Sequence, residues 1–281
     1  MERQLPSTTG WTFVWDNIGK VRNTGLELSI NTINVQTSDF SWQTNIIFDT
    51  NKNEILELYG GKKDDIGNKW FIGEAINVNY DYEFDGIWQT SEADKAAIYG
   101  QTPGQVKVKD QNHDNVIDAK DKVILGQQLP KWTGSITNTF TYKNWDLAFN
   151  VYTRQGAQLN STFVSSFMAY DGNYNQAKVD YWTETNPTNK YPQPGNKGKY
   201  FSSMCYQDVS FVRVGYITLG YTFPMSLLKP IGIKRLKLYA TANNPFLFTS
   251  FKGFDPEWAT QNTWGEATST RTFLFGVKLA F

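Results

Sequence analysis

The sequence predicts an all-β fold: an antiparallel transmembrane β-barrel wall of about seven strands, on three observations. Apolar residues recur at every second position in seven segments. Those segments run to about ten residues, longer than the usual five or six of soluble sheets and close to the nine to eleven that cross a bilayer at a tilt. The connections between them alternate strictly between short and long.

In chain order, the first strand is expected over residues 25–34 (Leu26, Leu28, Ile30) and the second over 40–50 (Phe40, Trp42, Ile46, Phe48). The third and fourth follow at 134–142 (Ile136, Phe140, Tyr142) and 145–153 (Trp145, Leu147, Phe149, Val151). The fifth lies in 209–223 (Ile217, Leu219, Tyr221, Phe223) and the sixth in 234–243 (Leu236, Leu238, Ala240). The last, 270–281, is the clearest: Phe273, Phe275, Val277, Leu279 and Phe281 alternate with small or polar residues, Leu274 excepted. Residues 91–99 have a Ser cap and good helix formers but span only about two turns, which makes them a loop element.

Short connections fall at 37–39, 143–144 and 224–232, and long ones at 53–131, 157–207 and 246–269. Soluble sheets rarely carry long irregular loops on every second connection. Outer-membrane barrels do, with short periplasmic turns and long extracellular loops, so the final strand would run down to a periplasmic Phe281. Seven strands cannot close around so much loop, and bacterial single-chain barrels carry an even number. Residues 1–281 are therefore expected to be the C-terminal part of a larger barrel, with signal peptide, N-terminal domain and plug outside this chain. The N-terminus itself has no apolar secretory stretch.

Composition agrees and excludes other classes. Lys plus Arg equals Asp plus Glu at 27 each, aromatic residues reach 16%, and charged residues are 19%, below the roughly 25% of an average domain. Zero net charge argues against a nucleic-acid partner held by bulk electrostatics. One cysteine rules out a disulfide framework or a Cys-rich zinc site. Mean hydropathy of −0.48 and the lack of a long apolar run exclude a helical membrane protein.

The strongest local motif is the stretch 110–121. Asp110, Asn112, Asp114, Asp118 and Asp121, with the Val116 carbonyl, stand at the spacing of a calcium loop. Its sixth position, usually Gly, is Asn115, the next-best residue for a left-handed backbone. The twelfth is Asp rather than Glu, closer to a dockerin-like variant, and the competing reading is an acidic turn without an ion. His113 falls at a non-ligand position and reads as an exposed loop side chain, and Cys205 as a thiol without a role. With one His, a hydrolytic triad has little to draw on. Asp85, Glu92 and Asp94 offer acid pairs, but nothing fixes their separation, so a secreted glycosidase is the third-ranked reading and the chain is read as a non-enzyme.

Strand aromatics such as Trp42, Tyr142, Trp145, Tyr221 and Phe223 suit a lipid-facing band with interfacial girdles. The loops hold Trp70, Trp88, Tyr99, Tyr174, Trp182, Tyr191, Trp258 and Trp264, which either pack the loops or meet a substrate or partner. Of these, Trp70, Trp88, Tyr99, Trp182 and Trp258 are the candidates for facing cargo or a partner.

An ordered set of short motifs is more specific than any one of them. It comprises Asn17 to Glu27 (NIGKVRNTGLE), Asp85 to Gln89 (DGIWQ), Tyr99 to Gly104 (YGQTPG) and the 110–121 loop. It continues with Leu125-Gly126, Pro130 to Trp132, Ser210 to Arg213 (SFVR) and Leu219 to Pro224 (LGYTFP). Asn243-Asn244-Pro245 and Gly253 to Glu257 (GFDPE) complete it. In this order, along nearly the whole chain, the set resembles the C-terminal part of SusC/RagA-type TonB-dependent outer-membrane transporters of Bacteroidetes. The resemblance implies a plugged barrel in the outer-membrane lipid that imports glycan oligosaccharides or peptides. It also implies a SusD-like lipoprotein lid, and energy from the TonB complex through segments outside this chain. Phe281, ending the alternation of Phe273, Phe275, Val277 and Leu279, looks like the signal read by the barrel-insertion machinery. The alternative is a soluble, secreted β-rich carbohydrate-binding module with a calcium-stiffened loop. It requires the Phe273–Leu279 face to lie under a second sheet.

Overall fold

A computed structural model of the chain describes residues 2–5, 7–15, 19–170, 176–259 and 269–281. The chain forms two compact units. One comprises Met1–Gly25, Asn51–Leu129 and Gln158–Gln207; the other comprises Leu26–Thr50, Pro130–Ala157 and Asp208–Phe281.

Most of a seven-stranded sheet lies in the second unit. Its strands are β1 (Gly19–Gln36), β2 (Phe40–Leu58), β3 (Trp132–Tyr142), β4 (Trp145–Gln155), β5 (Phe211–Thr222), β6 (Arg235–Thr249) and β7 (Thr272–Ala280). They lie side by side in chain order, an antiparallel meander in which each strand pairs with the one before it. These are the seven strands that the alternation predicts.

Two strands outrun the expectation. β2 continues to Leu58 through a polar stretch without alternation, where Lys20 pairs with Glu57 and Arg22 with Glu54 across the β1–β2 ladder. β6 continues past Pro245 to Thr249. A proline is tolerated there because β6 itself bulges: Val214 faces Phe246 and Tyr216 faces Asn243, so Asn244 and Pro245 together oppose the single Gly215. The long connections consequently start later than expected at 53 and 246, running over 59–131 and 250–271, with the middle one at 156–210.

Cross-strand register sorts the sheet into two faces. One lateral row reads Phe40, Tyr142, Trp145, Tyr221, Leu238 and Val277; the next reads Trp42, Phe140, Leu147, Leu219, Ala240 and Phe275. On the opposite face, Gln43, Thr139, Ala148, Thr218 and Thr241 form one row. Asn45, Thr137, Asn150, Tyr216, Asn243 and Thr272 form another. The apolar face is uncovered: Phe273, Phe275, Val277 and Leu279 are 68%, 84%, 62% and 48% exposed. Among the described residues no second sheet lies over them, contrary to what the carbohydrate-binding-module alternative requires.

The first unit has an apolar core of its own, including Ile87, Val106, Val164, Trp182, Tyr191 and Phe201. Two short antiparallel pairs frame it, Val78–Tyr82 with Lys122–Gln127 and Phe84–Ile87 with Val106–Val108. Residues 90–98 are helical, a 3-10 turn followed by a short α-helix within the long connection.

Candidate functional site

The polar face of the second unit is the surface with chemistry on it. Toward the short turns it carries an ion pair, Lys237 Nζ to Asp146 Oδ1 at 2.6 Å, lying across Gly220. A Cβ on Gly220 would meet Lys237 Cε at 2.5 Å, so the pair needs the bare backbone beneath it. Toward β1 a cavity of about 280 Å³ is lined by Asn31, Ile33, Gln43, Asn45, Thr137 and Thr139, with amide and hydroxyl groups and no charge.

Near the long connections, β4 and β5 present Tyr152, Arg154, Phe211 and Arg213 on this face, with Tyr152 paired to Arg213 and Arg154 to Phe211. The segment after β6 folds onto them. Arg213 donates Nη2 to Asp255 Oδ1 at 2.6 Å, and both side chains are 3% exposed. Burial alone would raise the Asp255 carboxyl, but the Arg213 guanidinium and the Glu257 N–H hold it below the ordinary range. Asp255 also caps the 3-10 turn Pro256–Trp258 by accepting the Glu257 N–H at 2.9 Å. The neighbouring Glu257 accepts the Tyr152 hydroxyl at 2.8 Å and pairs with Arg154 at 3.3 Å. The sequence motifs at 210–213 and 253–257 thus meet in a latch that holds a long loop against the polar face. Sequence reading singled out both motifs but carried no signal that joined them.

In the first unit, the loop motifs are structural. Trp88 and Trp182 are 5% and 3% exposed, and their indole N–H groups donate to Gln101 Oε1 at 2.9 Å and Gln89 Oε1 at 3.0 Å. Gly104 has φ +86° and lies under Trp182, where a Cβ would approach Cε3 at 2.8 Å, which explains the glycine closing the 99–104 motif. Trp88 and Trp182 are therefore corrected from candidate cargo-facing residues to core: a large ring with one donor is best satisfied by burial beside a carboxamide. Tyr99 is half-buried, stacked on Trp88 at 5.8 Å and donating to Asp110 at 3.1 Å. Trp70 is half-buried with its backbone paired to Asp65. In the second unit, Trp258 is 40% exposed and its indole reaches Ser269 at 3.1 Å. Tyr174 and Trp264, and Asn17 of the first motif, lie outside the described residues.

The 110–121 loop is folded by its own acids. Asp110 accepts the N–H groups of His113 (2.7 Å) and Asn115 (2.9 Å), and Asp114 accepts that of Val116 (2.9 Å). Asp121, fully buried, accepts Gln111 N–H at 2.9 Å and Asp118 N–H at 2.8 Å, and Asp118 caps Lys120. Asn112 bridges to Asp114 at 2.9 Å. Burial would raise the Asp110 carboxyl, but the Asn115 N–H, the Tyr99 hydroxyl and the His113 N–H hold it low. Asn115 takes the left-handed conformation expected of it, with φ 63°, and His113 is exposed. Among the described residues no three His, Cys, Asp or Glu side chains gather as a metal site.

Asp85 and Glu92 both reach Lys107 (3.4 and 3.2 Å) rather than framing a cleft. Cys205 is buried, which pushes its thiol up to about 12 and leaves it unreactive at neutral pH.

No family model matches the chain. Among curated proteins it is 32% identical over 269 residues to TonB-dependent receptor P26 of Formosa agariphila, covering 90% of this chain and 27% of that protein. It is 29% identical to TonB-dependent receptor SusC of Bacteroides thetaiotaomicron over 94% of this chain and 27% of SusC. Among solved structures, one described as the RagAB peptide transporter superposes with a TM-score of 0.76 at 24% identity, over 99% of this chain and 31% of that one. The chain therefore spans between a quarter and a third of the length of the relatives it matches.

Proposed function

Because this chain belongs to the SusC/RagA family of TonB-dependent receptors, we propose that it serves nutrient import across the bacterial outer membrane. The observation that carries this reading is the two-faced sheet. Its apolar rows suit lipid, and its aromatic row at the short turns suits the membrane interface on the periplasmic side. The polar face then lines the passage, and the long connections form the outer mouth where a SusD-like lipoprotein would close. Energy would come from the TonB complex through segments beyond this chain. Peptides are one cargo class, supported by the peptide transporter with the same fold, and glycan oligosaccharides the other, supported by the kinship to SusC. The exposed terminal row Phe273, Phe275, Val277 and Leu279, with Phe281 beyond it, is where the insertion machinery would engage the nascent barrel.

The test is membrane fractionation and uptake in the host carrying the full-length gene. Labelled peptides or oligosaccharides are expected to enter only with the gene intact, and entry is expected to stop when a protonophore removes the energy supply. Recovery of the full-length protein in the soluble fraction, or uptake indifferent to its deletion, would sink the reading.

A further inference from the structure

Three donors converge on the Glu257 carboxylate, and they hold it unequally. Tyr152 donates at 2.8 Å and Arg154 lies at 3.3 Å, but the Arg213 Nε stands 3.6 Å from Oε2, beyond hydrogen-bond reach. That Nε is buried and has no hydrogen-bond partner, while its guanidinium is already committed to Asp255 through Nη2. A buried donor left unmade is costly, and a native fold retains one only where something offsets it. Asp255 is not the displaceable partner, being 3% exposed and bonded to both Arg213 and the backbone. Glu257 is more open at 19% and sits on a single 3-10 turn, and Arg154 beside it is 48% exposed.

We propose that Tyr152, Arg154 and Arg213 form a carboxylate-binding site on the passage wall, and that Glu257 occupies it internally until a carboxylate-bearing cargo displaces it. The proposal rests on the reading that the polar face lines the passage. The tethered glutamate holds Tyr152 and Arg154 while leaving the Arg213 Nε unmet at 3.6 Å, whereas a free carboxylate can close on Nε while keeping the other two donors. The recognised chemistry is a carboxylate, whether the C-terminus of a peptide or a uronic acid of a glycan. Displacing Glu257 would free its own side chain while the Arg213–Asp255 pair keeps the 253–258 segment in place.

The experiment is calorimetric titration of the full-length receptor in detergent with trialanine, trialanine amide, trigalacturonate and neutral galactotriose. Glu257→Ala is expected to bind the carboxylate probes roughly tenfold tighter, the worth of one charge-assisted bond, with the amide and the neutral sugar unchanged. Adding Arg154→Met is expected to abolish the gain. Glu257→Gln keeps the side-chain length and the Tyr152 contact, so it guards against a loop that has simply unfolded. A gain confined to trialanine or to trigalacturonate supports the site and names its source. Equal affinities in wild type and both Glu257 variants, or an amide that gains alongside the acid, overturns it. Energy-dependent uptake that ignores Glu257 would refute this site alone, whereas uptake indifferent to the receptor would refute the transport reading beneath it.

Discussion

Arg213 and Asp255 meet at 2.6 Å across 42 residues of chain, each side chain only 3% exposed. Removing one member of a buried pair leaves the other charge uncompensated, at a cost of about 3–5 kcal/mol. Asp255→Ala is therefore expected to release the 253–258 segment to limited proteolysis, and Asp255→Asn to release it less, since the amide still accepts a bond. The sign of the pH effect follows from the depressed Asp255 carboxyl. Its contribution is complete above the ordinary Asp value of 3.8 and is lost as pH falls through the lower folded value. Proteolysis that is flat from neutrality down to about 3.8, then rises as pH falls towards the lower folded value, is the expected profile; a rise well above 3.8 would point to a different group.

Asp121 is the buried anchor of the 110–121 loop, accepting two backbone N–H groups that would otherwise be orphaned. Asp121→Ala should cost about 1–3 kcal/mol for each amide left buried without an acceptor. Cleavage within residues 105–125 is expected to increase in the variant whether calcium or chelator is present. Protection of the wild-type loop by calcium would support an ion there.

Trp182 and Trp258 separate packing from presentation among the loop aromatics. Trp182→Ala removes a core ring and its bond to Gln89, and is expected to cost about 3–5 kcal/mol. Trp258→Ala, at a 40% exposed position, should change stability by under about 1 kcal/mol. Thermal unfolding of the full-length receptor would show the contrast, and a larger loss for Trp258 than for Trp182 would reverse the assignment.

Strand alternation was legible because one face is apolar over most of its length, and that constraint prints a period of two on the strands from Leu26 to Leu279. It stopped being legible where the constraint stops. The far end of β2, Asn51–Leu58, is held by Lys20–Glu57 and Arg22–Glu54 rather than by an apolar row, so its hydropathy carries no period. Pro245 argued for an end to β6 because the bulge that accommodates it, two residues opposite the single Gly215, is set by the pairing with β5 and not by the local sequence. The latch was invisible for a similar reason: Arg213 reads as one more polar residue of an alternating strand, and only the fold brings Asp255 to it. In the first unit, composition counted the loop tryptophans correctly but could not tell a buried indole beside Gln89 from an exposed one.

A polar row inside the apolar face gives the last prediction. Thr44 and Asn138 are cross-strand partners in a row that continues as Phe149, Ile217, Ala242 and Phe273. They are satisfied locally: Asn34 donates to Thr44 at 2.6 Å, and Thr44 and Trp42 both donate to Asn138 Oδ1 at 2.8 Å. With no water to compete in a hydrocarbon setting, that one amide oxygen discharges two donors at once. Asn138→Leu matches the rest of the row in hydropathy yet leaves the Thr44 hydroxyl and the Trp42 N–H without an acceptor, so it is expected to destabilise by about 1–3 kcal/mol. Thr44→Val added to it removes one stranded donor and should recover part of the loss, giving a favourable coupling in a double-mutant cycle. Thermal unfolding of the full-length receptor in detergent measures the cycle. Strict additivity of the two substitutions would mean that the Thr44–Asn138 bond contributes nothing and that the row tolerates polarity for another reason.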